Sequence, residues 1–237
     1  MRLLMPLCFA LSLMAQEKPA PVRLIPLRVS PAATLTQDFG LAQVKVTYAR
    51  PAVKGRKIWG DKASGAIVPY GEVWRTGANA ATSTLPRSSQ STTITLSHPA
   101  QVAGKDLPAG TYGFFAIPGE KRWTLILSKQ AQTWGSYDYK PEQDVLRVEV
   151  QPEAAPMQEY LEYRVEVQDL EHGRLELAWE KLKVSLPLTF DGQGIYWKHL
   201  EETLAKAPDT DWTPWYQAAQ YCLQMKLHQD KALAWSE

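Results

Sequence analysis

Cysteine is nearly absent from this chain: 237 residues hold two, Cys8 and Cys222. Cys8 lies in an N-terminal apolar run, so removal of that run leaves Cys222 alone and the mature chain can form no intrachain disulfide. Its stability must come from a core, and Cys222, on an apolar helical face, reads as a small buried hydrophobe. Neither sign of charge is in excess. Lys and Arg total 26 and Asp and Glu 25, and Arg2 is the only charge among the first fifteen residues. Without that segment the net charge is zero, so no global field draws the chain to nucleic acid or to an anionic membrane. No apolar run reaches the roughly 20 residues of a permanent membrane helix. The four histidines, His98, His172, His199 and His228, are not spaced as ligands of a shared ion, and no cofactor or metal is expected. A nucleophile elbow, a Walker loop and a dinucleotide fingerprint are missing; Gly192-Gln193-Gly194 lacks the required context. Asparagine occurs once, at Asn79.

What is present describes an exported globular protein. The sequence opens Met1-Arg2, runs apolar from Leu3 to Leu13, and reaches Met14-Ala15-Gln16. A basic start, a short apolar run and a small residue before a polar stretch define a secretory signal over residues 1–15, cleaved near Ala15. Cys8 follows Leu7 inside the run, which does not suit lipid attachment. Residues 16–31 carry Pro19, Pro21, Pro26 and Pro31 and form an extended linker. The destination is the periplasm or the medium. Hydrophobic residues make up 45% of the chain, enough for one sizeable domain and a smaller piece. Nine Trp and ten Tyr supply either core volume or binding platforms.

Period-two alternation fills residues 32–190. Val44, Val46 and Tyr48 share one face; Ile94 and Leu96 share another. Tyr112 to Ile117 and Trp123 to Leu127 flank the turn Pro118-Gly119-Glu120. Leu146 to Val150, Leu161 to Val167, Leu175 to Trp179 and Val184 to Leu186 continue the pattern. With no amphipathic helix among these strands, a parallel sheet has no crossovers, and the expected fold is mainly β: an antiparallel sandwich of jelly-roll or immunoglobulin-like form. Residues 194–237 change to helical spacing. Tyr196, Leu200 and Leu204 define one helix. Thr213-Pro214 reads as cap and first position of a second, whose stripe is Trp215, Ala218, Ala219, Cys222 and Leu223. Asp230 is placed as cap of a third. The pair resembles one tetratricopeptide-like unit, which cannot bury its own face and must pack on the β domain, a second copy or a partner.

Three segments stand out as candidate ligand sites. Residues Arg50 to Gly60 form a basic loop containing Lys54 and Arg56, which reads as a solvated loop or an anion-recognising one. Residues Val68 to Asn79 pack Glu72, Trp74, Arg75 and Asn79 between turn residues; Arg75 suits a carboxylate clamp, with Glu72 as local partner, and Asn79 suits a turn or a specific hydrogen bond. Residues Trp134 to Lys140 supply Trp134 and Tyr137, aromatic surfaces for a sugar ring or peptide. An internal polar network built on Arg75, Glu72 and Asn79 is the structural alternative. An enzymatic alternative pairs Glu72 with Asp138 as acid and base on a carbohydrate, with Trp74 and Trp134 as platforms.

The same segments, with Leu107-Pro-Ala-Gly-Thr-Tyr-Gly-Phe-Phe-Ala-Ile-Pro-Gly, resemble a bacterial domain-of-unknown-function family, the one numbered 2911. The resemblance covers about residues 31–190 and implies an exported β-rich domain followed by a helical tail. It implies no activity and carries no catalytic residues. The function expected is therefore a non-catalytic binding or structural module of the cell envelope, taking a glycan, a peptide, a small anion or a protein partner. Expressed in a bacterium and recovered outside the cytoplasm, the protein should have an N-terminus at or near Gln16, read by intact mass; an intact Met1 terminus would contradict cleavage.

Overall fold

The structure, a computed structural model, describes residues 30–78, 91–131, 133, 136, 138–208 and 210–235. The signal and nearly all of the linker lie outside the described residues. Twelve strands and three helices follow in order: β1 Ala32–Phe39, β2 Ala42–Ala49, β3 Trp59–Gly60, β4 Val68–Pro69, β5 Thr93–Leu96, β6 Ala100–Val102, β7 Lys105–Leu107, β8 Gly110–Ile117, β9 Trp123–Ser128, β10 Asp144–Val150, β11 Glu153–Val167, β12 His172–Phe190, α1 Gly192–Leu204, α2 Thr213–Met225 and α3 Gln229–Ala234. A six-stranded sheet has the order β1-β2-β5-β8-β9-β10 and a four-stranded sheet the order β11-β12-β6-β7. Pairing is antiparallel throughout both. Among the described residues, only the short β3–β4 pair is parallel. The architecture is the antiparallel sandwich with a helical tail that the alternation dictates.

One apolar core joins the sheets. Val44, Val46, Ile94, Leu96, Phe114, Leu125 and Leu127 come from the larger sheet; Leu161, Tyr163, Leu175, Leu177, Leu186 and Phe190 come from the smaller. Four tryptophans converge in it. Trp59 of β3 lies 4.8 Å from Trp123 of β9, 5.5 Å from Trp74 and 5.7 Å from Trp179 of β12, between ring centres. Trp74 completes the quartet at 6.0 Å from Trp179 and 6.2 Å from Trp123. Most of these ring pairs are edge-on or tilted, the geometry that the ring quadrupole favours. The Trp74 indole donates to Gly77 O at 3.1 Å. The indole N–H groups of Trp59, Trp123 and Trp179 are buried without an acceptor among the described residues, a cost of about 1–3 kcal/mol each that ring burial must offset.

Several elements differ from the sequence expectation for physical reasons. β1 falls where no strand was expected, because its alternate positions Ala33 and Leu35 are only half-buried at a sheet edge and the pattern is faint. β6 and β7 have three residues each, too few to show a period. Leu175 to Trp179 and Val184 to Leu186 are one nineteen-residue strand. Its inward residues are odd-numbered through Trp179 and even-numbered from Val184, since Glu180 takes a positive φ of 57° and shifts the phase. In the tail, α2 starts at Thr213 with Trp212 as cap, not Thr213, and Asp211 Oδ1 accepts the Thr213 N–H at 3.0 Å. Hydrogen bonds from the Thr213 hydroxyl and then its backbone N–H hold the Asp211 carboxyl below its ordinary value. His228 caps α3, and Asp230 sits in its first turn. Leu223, expected on the buried stripe, is exposed.

Replacing Trp179 with Ala should lower the unfolding free energy by about 3–5 kcal/mol in denaturant titration, the usual cost of emptying a large core position. Replacing exposed Leu223 with Ala should change it by no more than about 0.5 kcal/mol.

Candidate functional site

The basic loop folds onto the second sheet. Arg50 Nε donates to Leu161 O at 3.1 Å and Val53 N to Glu159 O at 2.8 Å, so Pro51 to Val53 lie along β11, with Ala52 opposite Tyr160. Lys54, at a positive φ of 48°, donates its backbone N–H to Glu159 Oε1 at 2.9 Å. The Arg56 guanidinium closes back on its own turn, donating to Val53 O at 3.0 Å and to Ala52 O. Arg50 and the backbone of Val53 and Lys54 attach the loop to β11, while Lys54, Arg56 and Lys57 remain exposed.

The segment from Val68 to Ala78 is built into the larger sheet. Trp74 exchanges two backbone hydrogen bonds with Ala116 of β8, at 2.7 and 2.8 Å, and Gly71 N donates to Pro118 O. Thr76 Oγ1 donates to Phe114 O at 2.8 Å, while Thr76 O accepts from Tyr163 OH and Thr92 Oγ1. Trp74 is 2% exposed and is a core residue, not a sugar platform. Arg75 is 4% exposed. Glu72 stays at the surface, where Lys62 Nζ meets its carboxylate at 3.1 Å; that exposed pair, not an Arg75 clamp, is its ion-pair contact. None of Lys54, Arg56, Glu72 and Trp74 bonds another of them. Asn79, Trp134 and Tyr137 lie outside the described residues.

Glu72 and Asp138 are attached near different places along β8. Gly71, next to Glu72, is tied to Pro118 at one end of β8. Asp138 O accepts from Gln130 Nε2 at 2.8 Å, and Gln130 O lies against Gly113, five residues back along the strand.

A different set of polar groups does converge. Phe115 and Ile126 are buried on the face of the larger sheet turned away from the main core. Tyr139 packs on Phe115, the two rings 5.1 Å apart. Tyr139 OH donates to Asp144 Oδ2 at 2.6 Å; Arg147 Nε donates to the same oxygen and Arg147 Nη2 to the phenol oxygen, each at 2.8 Å. Asp144 Oδ1 is buried with no donor among the described residues. The neighbouring loop ends are joined by Ser91 Oγ and Thr133 Oγ1 at 2.7 Å. Burial, then the hydrogen bond to Asp144, pushes the Tyr139 phenol up to about 12. At neutral pH it is a donor, not a base. The cluster can hold the loop on the sheet and leaves one carboxylate oxygen as an acceptor. Sequence reading named this loop for Trp134 and Tyr137 but missed Asp144 and Arg147, which lie on a strand that alternates like any other.

The tail forms its own small core. Leu200, Leu204 and Ala218 pack with Tyr196, Trp197, Trp215, Tyr221 and Trp235, and Ala219, Cys222 and Ala232 extend it. Ile195 reaches the sandwich core. Cys222 is fully buried and burial pushes its thiol up, as a structural cysteine requires. Trp212, Tyr216 and Leu223 remain exposed. No helix among the described residues is long and apolar enough to cross a membrane, and no three His, Cys, Asp or Glu side chains there group as metal ligands.

These features define an antiparallel β-sandwich with a self-packed helical tail. Residues 30–188 match the family described as a protein of unknown function, DUF2911, and the chain belongs to it. No curated protein and no solved structure matches the chain.

The raised Tyr139 value carries a pH signature. A phenol whose folded value lies above its unfolded value near 10 stabilises the fold fully below that pH and loses this contribution as pH rises toward about 12. Burial also raises Tyr163 and other tyrosines, so the ultraviolet titration is read as a difference: Tyr139→Phe should remove one tyrosine from the late-ionising group. A variant with an unchanged titration would overturn the assignment.

Proposed function

We propose that the mature chain is a non-catalytic module of the bacterial cell envelope, exported to the periplasm or the medium, whose distinctive sequence segments build its scaffold and whose binding is done by its surface. One observation carries this reading: Trp74, Arg75 and the guanidinium groups of Arg50 and Arg56 in those segments are spent on the fold. Trp74 lies in the core and Arg75 is buried beside it in sequence. Arg56 serves carbonyls of its own turn, and the Arg50 guanidinium and the Lys54 backbone N–H bind β11. The signal-like N-terminus and the family's lack of an assigned activity are consistent with it. The exposed Trp212, Tyr216 and Leu223 of the tail offer a surface for a protein partner.

Arg75→Ala decides between scaffold and ligand contact. The expected result is a loss of about 2 kcal/mol in thermal or denaturant unfolding, with binding to an envelope extract or a glycan and peptide panel retained by the folded fraction. Unchanged stability with lost binding would make Arg75 a ligand contact. Turnover of any glycan in that panel by the wild-type protein would overturn the non-catalytic reading.

A further inference from the structure

At one corner of the smaller sheet, where β12 passes into α1, a groove of about 560 Å³ opens to solvent. Its floor is mostly apolar: Pro99, Leu107, Pro108 and Phe190. Its charged lining is of one sign. Asp106, Glu171 and Asp191 are the only ionisable residues among those that line it. The nearest cation in sequence, Lys105, turns its Nζ toward Arg147 O at 3.5 Å, and His98 turns Nδ1 to Ser97 Oγ at 2.9 Å. The three carboxylates keep part of their capacity. Asp106 Oδ1 accepts from Gln101 at 3.0 Å, Glu171 Oε1 from Gln193 N at 3.2 Å and Asp191 Oδ1 from Gly194 N at 2.9 Å, one oxygen of each carboxylate. The two bonds to Gln193 and Gly194 satisfy the start of α1, so that helix end attracts no anion here.

A second observation fixes the form of the occupant. β7, which contributes Asp106 and Leu107 to the groove, is the last strand in its sheet. An edge strand has backbone groups facing outward, and an extended peptide can pair with them. A free carboxylate or phosphate would meet three negative charges. We infer that this groove binds an extended basic peptide segment of a protein partner, its Lys or Arg side chains on Asp106, Glu171 and Asp191 and its apolar or proline residues on the Leu107–Phe190 floor. The inference rests on the binding-module reading and gives it a site and a partner chemistry.

The probe is a fluorescein-labelled decapeptide with two arginines among leucine and proline, beside the same peptide with both arginines changed to glutamate. Fluorescence anisotropy with the full mature chain should show saturable binding of the first only. Raising salt should weaken it, and Asp106→Lys, on an exposed three-residue strand clear of the α1 cap, should weaken it about tenfold with an unchanged melting temperature. Equal binding of both peptides, or binding indifferent to Asp106→Lys, would overturn the groove assignment. So would a dimer in sedimentation that Asp106→Lys dissolves, which would make a second copy the occupant. Failure of the basic peptide while an envelope extract still binds would sink the groove alone; failure of both would sink the binding module as well.

Discussion

The tryptophan quartet is the contact on which the rest of the sandwich depends. Its members come from four separate places: the strand after the basic loop, the Glu72–Asn79 segment, the β8–β9 hairpin and the long β12. Trp179 belongs to the smaller sheet and Trp123 to the larger, so the quartet spans the space between them. Trp59 and Trp74 bring in two segments that are not regular strands for most of their length. Those rings, with Val53, Ile58 and Val68, give the basic loop and the Trp74 segment their apolar anchorage. The three indole N–H groups without an acceptor among the described residues show how far ring packing outweighs polar satisfaction at this point.

That constraint explains why Trp74 and Arg75 are buried in the fold. A segment rich in Trp, Arg and Gly looks like a ligand loop when read alone. Here Trp74 is a core anchor, and the backbone around it continues the larger sheet by pairing with Ala116. The basic loop performs a similar task on the other sheet, with Arg50 and Val53 hydrogen-bonded to β11. The surface features that remain for recognition are ordinary in sequence: a short edge strand, two carboxylates that also cap a helix, and an exposed aromatic stripe on α2.

The sandwich class, the order of its main strands and the helical tail were legible because alternation and helical spacing record which faces are buried. Val44 to Tyr48 and Trp123 to Leu127 carry that record plainly. β1 did not, since an edge strand half-buried on its inner face shows weak contrast. β12 read as two strands because the bulge at Glu180 moves the inward side from odd to even residues. The Tyr139–Asp144–Arg147 cluster was illegible for another reason: it depends on a loop folding back over Phe115, and no local pattern encodes that distant contact. Glu72 misled because its position between glycines suggested a clamp, whereas its side chain reaches outward to Lys62.

Amide hydrogen exchange at Trp74 tests the scaffold account most directly. Its N–H donates to Ala116 O inside the sheet, beside the quartet. The account predicts that this amide opens only with global unfolding, with protection equal to that of core amides such as Leu125 and Leu177. Exchange of Trp74 at the rate of an exposed loop, while those core amides stay protected, would contradict it.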